Sequence, residues 1–335
     1  MSEKISVVTG AKGYLGHTLV TKLVERGEKV RLALHSPTHD FDELGCEIVT
    51  GSINDIDYLC KAFEGADTVY HVAGLVDITG TKDDLVWQVN YEGTKCVLEA
   101  CKKCGVKKLV YVSSVDCVPV TPDMDVITEP EHFDPDNLSD AYGKSKAAAT
   151  ELVNSSGDEN LKCCSVHPSC VIGPNDFHHS SSVCSMITLY DHGLFPMSLN
   201  FGAYNFVDVR DVADGMIAAA EKGRNGQSYF LSGECLSVDG FVQVLAKVNN
   251  KKPPRIKLGK KAVLAICPLG AWFFKVMKMP PVLTPFSIAK ICENCNFSYA
   301  KAAADLGYSP MSAEKSLTDT VYWLKEHPKE EKANK

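Results

Sequence analysis

A chain of 335 residues that is 45% hydrophobic and 23% charged, with 24 Gly and 16 Pro, carries enough apolar side chain for a large core. That excludes a disordered, collagen-like or coiled-coil protein. Its 35 Lys and Arg stand against 42 Asp and Glu, a net charge of −7, so it lacks a basic footprint for a phosphate backbone and no nucleic acid is expected as a partner.

The opening MSEKISVVTG has no charged-then-apolar leader and enters a strand directly, Ile5 to Thr9. A helical window follows from Tyr14 to Arg26, stopped by Gly27. Further strands are predicted at Val30 to Leu34, Glu47 to Thr50, Thr68 to Ala73, Lys108 to Ser114 and Lys162 to Pro168, separated by helix-length segments that include Asp83 to Cys104 and Asp140 to Ser155. Short β-branched runs apolar on both faces, alternating with helices, predict an α/β fold with a doubly wound parallel sheet.

After Pro168 the alternation breaks into a loop-rich stretch from Gly173 to Asn205, then returns as the strand YNFVDV and the helix RDVADGMIAAAEKG. From Cys235 onward helical windows alternate with Pro-containing loops, and the chain ends in a helix, Ala313 to Lys325, with a charged tail. The expected division is a dinucleotide-binding domain of residues 1–172 and 203–234, a smaller, discontinuous, mainly helical lobe of 173–202 and 235–312, and a C-terminal helix and tail, 313–335. The longest apolar stretch, Val263 to Phe274, contains Pro268 and Gly270 and falls short of the roughly 20 residues that span a bilayer. It reads as a pocket lid, with peripheral membrane contact as the alternative.

The 14 Cys are expected as free thiols of a cytoplasmic protein. Cys101 with Cys104, and Cys292 with Cys295, have metal-like spacing but lie far apart and lack a Gly-rich knuckle, so no metal is expected.

Directly after the first strand comes TGAKGYLG, with Gly10, Gly13 and Gly16 at three-residue spacing where the next helix begins. Glycine there permits a tight turn and removes the Cβ that would hold a pyrophosphate away from the N–H groups at the helix start. Tyr14 and Leu15 share the loop. The end of the second strand, which meets the adenosine ribose in such folds, carries no carboxylate. It reads Leu34, His35, Ser36, and donors without an acid favour a 2′-phosphate, hence NADP(H) over NAD(H). Asp40 or Asp42 folding back would reverse the preference.

Tyr142 and Lys146 in YGKSK are four apart on one helix face, and a Ser113–Ser114 pair ends the fifth strand. An ammonium beside a phenol favours phenolate and brings its pKa toward neutrality, which makes an acid/base. A serine hydroxyl at a strand's C-terminal end can hold the substrate oxygen.

With TGAKGYLG, these residues give a chain that resembles the extended short-chain dehydrogenase/reductases. HVAG from His71 to Gly74, VNYEGT with Asn90, HPSCVIGP from His167 to Pro174 and FVDVRDVADG from Phe206 to Gly215 match as well. Within the group it is most similar to the 3β-hydroxysteroid dehydrogenase/isomerase and dihydroflavonol reductase branch, in its SSVD context and in FSYAKAAADLGYSP. The resemblance implies Tyr142 as acid/base, Lys146 as ribose ligand, Ser114 as the carbonyl-orienting hydroxyl and Asn90 near the proton relay. It further implies cofactor contacts from Val72, Ala73, Gly74, Pro168, Ser169 and Val171, and substrate contacts from Val115, Asp116, His178, Met186 and Tyr204. Two departures stand out. The adenine-contacting Gly-Asp appears as Gly51-Ser52 followed by Ile53, and the usual Arg-Pro is His167-Pro168.

A diphosphate substrate demands cations, yet the chain has five Arg and no Lys or Arg from Asn175 to Asn205. That segment offers Phe177, Met186, Leu189, Phe195, Met197 and Phe201 instead, and the later lobe adds Leu264, Trp272, Phe273, Phe274 and Met277. The expected substrate is a small hydrophobic alcohol or ketone such as a steroid, bile acid or flavonoid. A sugar-nucleotide epimerase or dehydratase is the alternative, and a non-catalytic NADP(H) sensor a third reading. By family analogy the protein is a homodimer or a monomer.

Overall fold

Successive residues of the first strand are buried on opposite sides. Val7 packs with Leu59, Phe63, Val97 and Leu109, whereas Val8 packs with Leu19, Leu32, Val212 and Met216. A strand buried on both faces requires helices on both. The computed structural model, which describes residues 4–77, 81–121, 124–178, 181–193, 197–267 and 285–328, has that arrangement.

The strands are β1 (Ile5–Thr9), β2 (Lys29–Leu34), β3 (Glu47–Thr50), β4 (Thr68–His71), β5 (Lys108–Val112), β6 (Lys162–Pro168), β7 (Cys170–Ile172), β8 (Met197–Leu199), β9 (Ala203–Asp208), β10 (Gln227–Leu231), β11 (Glu234–Ser237) and β12 (Ile256–Leu258). A seven-stranded, wholly parallel sheet runs in the order β10-β6-β5-β4-β1-β2-β3. Helices α1 (Tyr14–Glu25) and α7 (Val209–Lys222) cover one face. The other is covered by α2 (Ile56–Phe63), α4 (Gly93–Cys104) and α5 (Ala141–Ser155). This is the expected doubly wound α/β fold.

Three differences from the sequence reading follow from tertiary packing. The helix expected over Asp83 to Cys104 is α3 (Asp83–Trp87), a π-helical turn at Gln88–Glu92, and α4. The strand at Ala203–Asp208 does not rejoin the central sheet: it pairs with β7 and β11 in a separate three-stranded sheet, and the chain returns only at β10. The stretch read as loop holds α6 (Ser182–Asp191) and β8, a strand too short to show an alternation. A further helix, α8 (Val238–Val248), packs on the C-terminal helix at Ala313–Glu326. Leu317 and Val321 share a buried cluster with Phe241 and Leu245.

Val263 and Cys267 are buried while Leu264 and Ile266 are exposed. The remainder of the expected lid, with Trp272, Phe273, Phe274 and Met277, lies outside the described residues. Among the described residues no helix is long and apolar enough to cross a membrane.

Candidate active site

The sheet order reverses at β1, which lies between β2 and β4. At such a switch point the strand ends diverge and leave a crevice, here a cleft of about 810 Å3. Gly10 has φ +69°, and a Cβ on it would lie 2.5 Å from the Ala73 backbone nitrogen. One on Gly16 would lie 2.3 Å from the Gly10 carbonyl. Gly13 is the N-cap of α1, which has no side-chain cap and no acidic residue in its first turn. The N–H groups at that helix start, with Tyr14 and Leu15, line the cleft, an arrangement that fits a pyrophosphate. Tyr14 donates its hydroxyl to the Gly173 carbonyl at 2.6 Å, tying the loop to the segment after β7.

At the end of β2 His35 and Ser36 line the cleft. So does Lys12, whose Nζ donates to Ser36 Oγ at 3.4 Å. The sequence reading missed Lys12, although a cation inside the glycine loop was the available signal. Asp40 and Asp42 do not line the cleft: Asp40 lies 3.8 Å from His178 and Asp42 2.9 Å from His39, around an adjoining cavity that shares Lys12, Gly13 and Tyr14 with it. Ser52 and Ile53 line the cleft beside Asn54, a second residue the sequence reading missed. The buried Oδ1 of Asn54 has no hydrogen-bond partner.

Val72, Ala73 and Gly74 after β4, and Pro168, Ser169 and Val171 around the end of β6, also line the cleft. A Cβ on Gly74 would sit 3.2 Å from Lys146 Nζ and 3.4 Å from Asn90 Oδ1, so both side chains close over this glycine. Asn90 lies in the π-helical turn; its Oδ1 accepts from Leu75 N at 2.7 Å, and its Nδ2 donates to Leu75 O and to Ser145 Oγ. Lys146 donates to the Val112 carbonyl at 2.7 Å. Burial pushes its ammonium down to about 8.

Ser113 turns into the core, where its hydroxyl lies 2.7 Å from Thr150 Oγ1. Ser114 faces the cleft. As the N-cap of a 3-10 turn at Val115–Cys117, its Oγ accepts from Asp116 N at 3.1 Å and donates to Asp116 Oδ2 at 3.3 Å. Helix α5 starts against this turn because residue 143 is glycine: a Cβ there would come within 2.7 Å of the Asp116 carbonyl. That approach brings Tyr142 into hydrogen-bonding reach of Ser114. Burial and the Asp116 carboxylate push the phenol above its ordinary value, opposed by the Ser114 hydrogen bond. The sequence reading expected Lys146 to lower it; with the ammonium directed at Val112, burial and Asp116 prevail.

A third cavity, of about 260 Å3, adjoins this pair. Ser114, Tyr142 and Ser169 line both spaces. Val115, Asp116 and Tyr204 line the smaller one, as the resemblance implies, together with Val118, Val120 and Phe297, which the sequence reading missed. His178 and Met186 do not. His178 borders the cavity near Asp40, and Met186, on α6, packs against the core cluster of Val183 and Phe206. Lys290 lies between Asp116, 3.1 Å from Oδ1, and Glu293, 3.1 Å from Oε2. Among the described residues no group of three or more His, Cys, Asp or Glu converges as metal ligands.

Comparison with known proteins points the same way. Residues 7–242 match the model of the 3-beta hydroxysteroid dehydrogenase/isomerase family. Sterol demethylase protein B of Methylococcus capsulatus is 29% identical over 329 residues, 96% of this chain and 98% of that relative. The 3-beta-hydroxysteroid dehydrogenase of Mycolicibacterium neoaurum is 29% identical over 331 residues, 94% of this chain and 90% of its own length. The crystal structure of gox2253 superposes with a TM-score of 0.82 at 28% identity, covering 98% of this chain and all of that one.

Proposed function

Because the chain belongs to the 3-beta hydroxysteroid dehydrogenase/isomerase family, whose members are NAD(P)-dependent enzymes, we propose that it transfers hydride between nicotinamide and a secondary alcohol or ketone on a hydrophobic, neutral substrate. The observation that carries this reading is that Ser114 and Tyr142 belong to both the long cleft and the smaller cavity. A cofactor along the one and an alcohol in the other meet at these two hydroxyls.

The nicotinamide, when bound, supplies or accepts the hydride. Tyr142 gives its proton to the carbonyl oxygen in reduction and takes it back in oxidation, and Ser114 holds that oxygen by a hydrogen bond. Lys146 and Asn90, closing over Gly74, are placed to hold ribose hydroxyls and the backbone beneath them. NADP(H) is favoured over NAD(H): Lys12, His35 and Ser36 present donors at the end of β2, while Asp40 and Asp42 do not line the cleft. The partnerless Oδ1 of Asn54 is placed to accept from the adenine amino group.

The substrate cavity joins Val115, Val118, Val120 and Phe297 to a lysine already shared by two carboxylates. That composition suits a steroid- or flavonoid-like body better than a diphosphate.

The test is reduced-nicotinamide absorbance with NAD+ and NADP+ separately, over a panel of 3-hydroxysteroids, bile acids and flavanols, with Tyr142→Phe as control. Turnover that Tyr142→Phe abolishes is expected. Cofactor that co-purifies, with conversion of a sugar nucleotide and no need for added nicotinamide, would replace the proposal by an epimerase reading.

A further inference from the structure

Fourteen cysteines are scattered through the chain, and two that the mechanism does not use meet at the edge of the substrate cavity. Cys235 in β11 and Cys295 in the segment after the helix at Pro285–Ile291 have their Sγ atoms 3.4 Å apart, and the Cys235 thiol donates to the Cys295 carbonyl at 2.9 Å. The sequence reading expected free thiols, and chain spacing alone sets Cys295 beside Cys292 of CENC. Packing of the segment instead brings it to a cysteine sixty positions upstream.

Cys235 is exposed and therefore open to small oxidants. Cys295 lines the cavity alongside Lys290, Glu293, Asn294 and Phe297 of the same segment. That segment is held at its far side by backbone bonds: Ile127 N donates to Asn296 O and Ser298 N to Ile127 O, at 2.9 and 2.8 Å. On the β11 side Ser232 Oγ, just before the strand, donates to the Phe297 carbonyl at 2.9 Å, and beyond it the thiol pair meets. A disulfide needs the sulfurs about 2.05 Å apart, a closing movement of little more than 1 Å (~1.4 Å) that side-chain rotation supplies.

We infer that Cys235 and Cys295 form a reversible disulfide that locks the cavity wall to β11 and weakens substrate entry. The Cys235 thiolate attacks a peroxide, forming an S–O bond as the O–O bond breaks, and one oxygen leaves as water. The Cys295 sulfur then displaces the hydroxyl from Cys235, forming the S–S bond and a second water. The sulfurs are oxidised, the peroxide is reduced, and a dithiol reductant reverses the change. Hydrogen bonds from Cys295 and Asn205 hold the Cys235 thiol down to about 7 against the effect of burial, which raises the thiolate fraction at neutral pH.

The formation of the bond stands on this geometry, and its effect on catalysis rests on the hydride-transfer reading. The full chain is reduced, exposed to a few equivalents of hydrogen peroxide and digested under alkylating conditions without reductant. Mass spectrometry is expected to find a Cys235–Cys295 linked peptide that disappears with dithiothreitol and is absent from Cys235→Ser. Oxidation is also expected to raise the Kd of a steroid ketone by about threefold or more in the parent chain, to leave Cys235→Ser unaffected, and to leave cofactor affinity unchanged in both. Oxidation of other cysteines without that linked peptide overturns the inference, and a linked peptide with unchanged ligand affinity overturns its role at the cavity. Absence of turnover with every alcohol would sink the hydride-transfer reading, a result separate from the peptide map.

Discussion

The imidazole of His167 lies 3.2 Å from the backbone carbonyl of Ser114, with its other nitrogen 3.1 Å from Ser165 Oγ. A carbonyl only accepts, so the Nδ1 proton is assigned to that bond. Burial keeps the ring neutral, pushing it down to about 3, and Phe133 stacks on it at 5.1 Å. A neutral histidine thus holds the Ser114 turn from below, at the position where the family pattern has arginine. His167→Leu is expected to lower kcat about tenfold by loosening Ser114, with cofactor Kd unchanged. Steady-state kinetics beside a fluorescence titration of cofactor checks this, and an unchanged kcat would remove His167 from the positioning of Ser114.

Tyr142→Phe keeps the ring and removes the hydroxyl that faces both cavities. Turnover is expected to fall by about 100-fold or more, while the cofactor still binds. Substantial residual activity with bound cofactor would assign proton transfer elsewhere.

Lys12→Ala removes the ammonium that reaches Ser36 at the end of β2. The Kd of NADP+ is expected to rise about tenfold and that of NAD+ by less than about twofold. The NADP+ effect should shrink at high salt, since the lysine is solvent-facing. Equal losses for both cofactors would show that Lys12 supports the glycine loop rather than a 2′-phosphate.

His71 and His167 are both buried and both pushed down to about 3, chiefly by burial and in both also by the Lys146 charge. Between that value and an unfolded value near 6.5, the unfolded chain binds the extra protons, so stability is fully present above about pH 6.5 and is lost as pH falls toward 3. Each histidine is expected to cost about 2 kcal/mol at pH 5 relative to neutrality. Thermal unfolding at pH 7, 6 and 5 should show a falling Tm, with a shallower fall in His167→Leu.

The chemistry-bearing motifs were legible where their partners are local. In YGKSK the residues share one turn of α5, and in TGAKGYLG the glycines serve a single loop and helix start, so spacing alone carries the geometry. Strand burial on both faces was legible from β-branched runs such as ISVVT for the same reason. The two smaller sheets, β11-β9-β7 and β12-β8, were not, since β7, β8, β11 and β12 span only three or four residues each, too few for a periodic signal.

His178 and Met186 show the limit of reading substrate contacts from a segment's composition. Both lie in the stretch that was expected to line the pocket, yet one faces Asp40 and the other a core cluster. Phe297, far along the chain, supplies the wall instead.

The amino-acid order by itself determined the parallel sheet, the glycine loop at the start of α1 and the Tyr-Lys pair, because each depends on hydrogen bonds and sterics within a few residues or on the period of burial. Tertiary packing alone decided that Ser114, Tyr204 and Phe297 share a cavity, that Lys12 meets Ser36, and that Cys235 meets Cys295. Those contacts join segments remote in sequence, and which side chains meet is set by how lobes with several apolar faces bury them together.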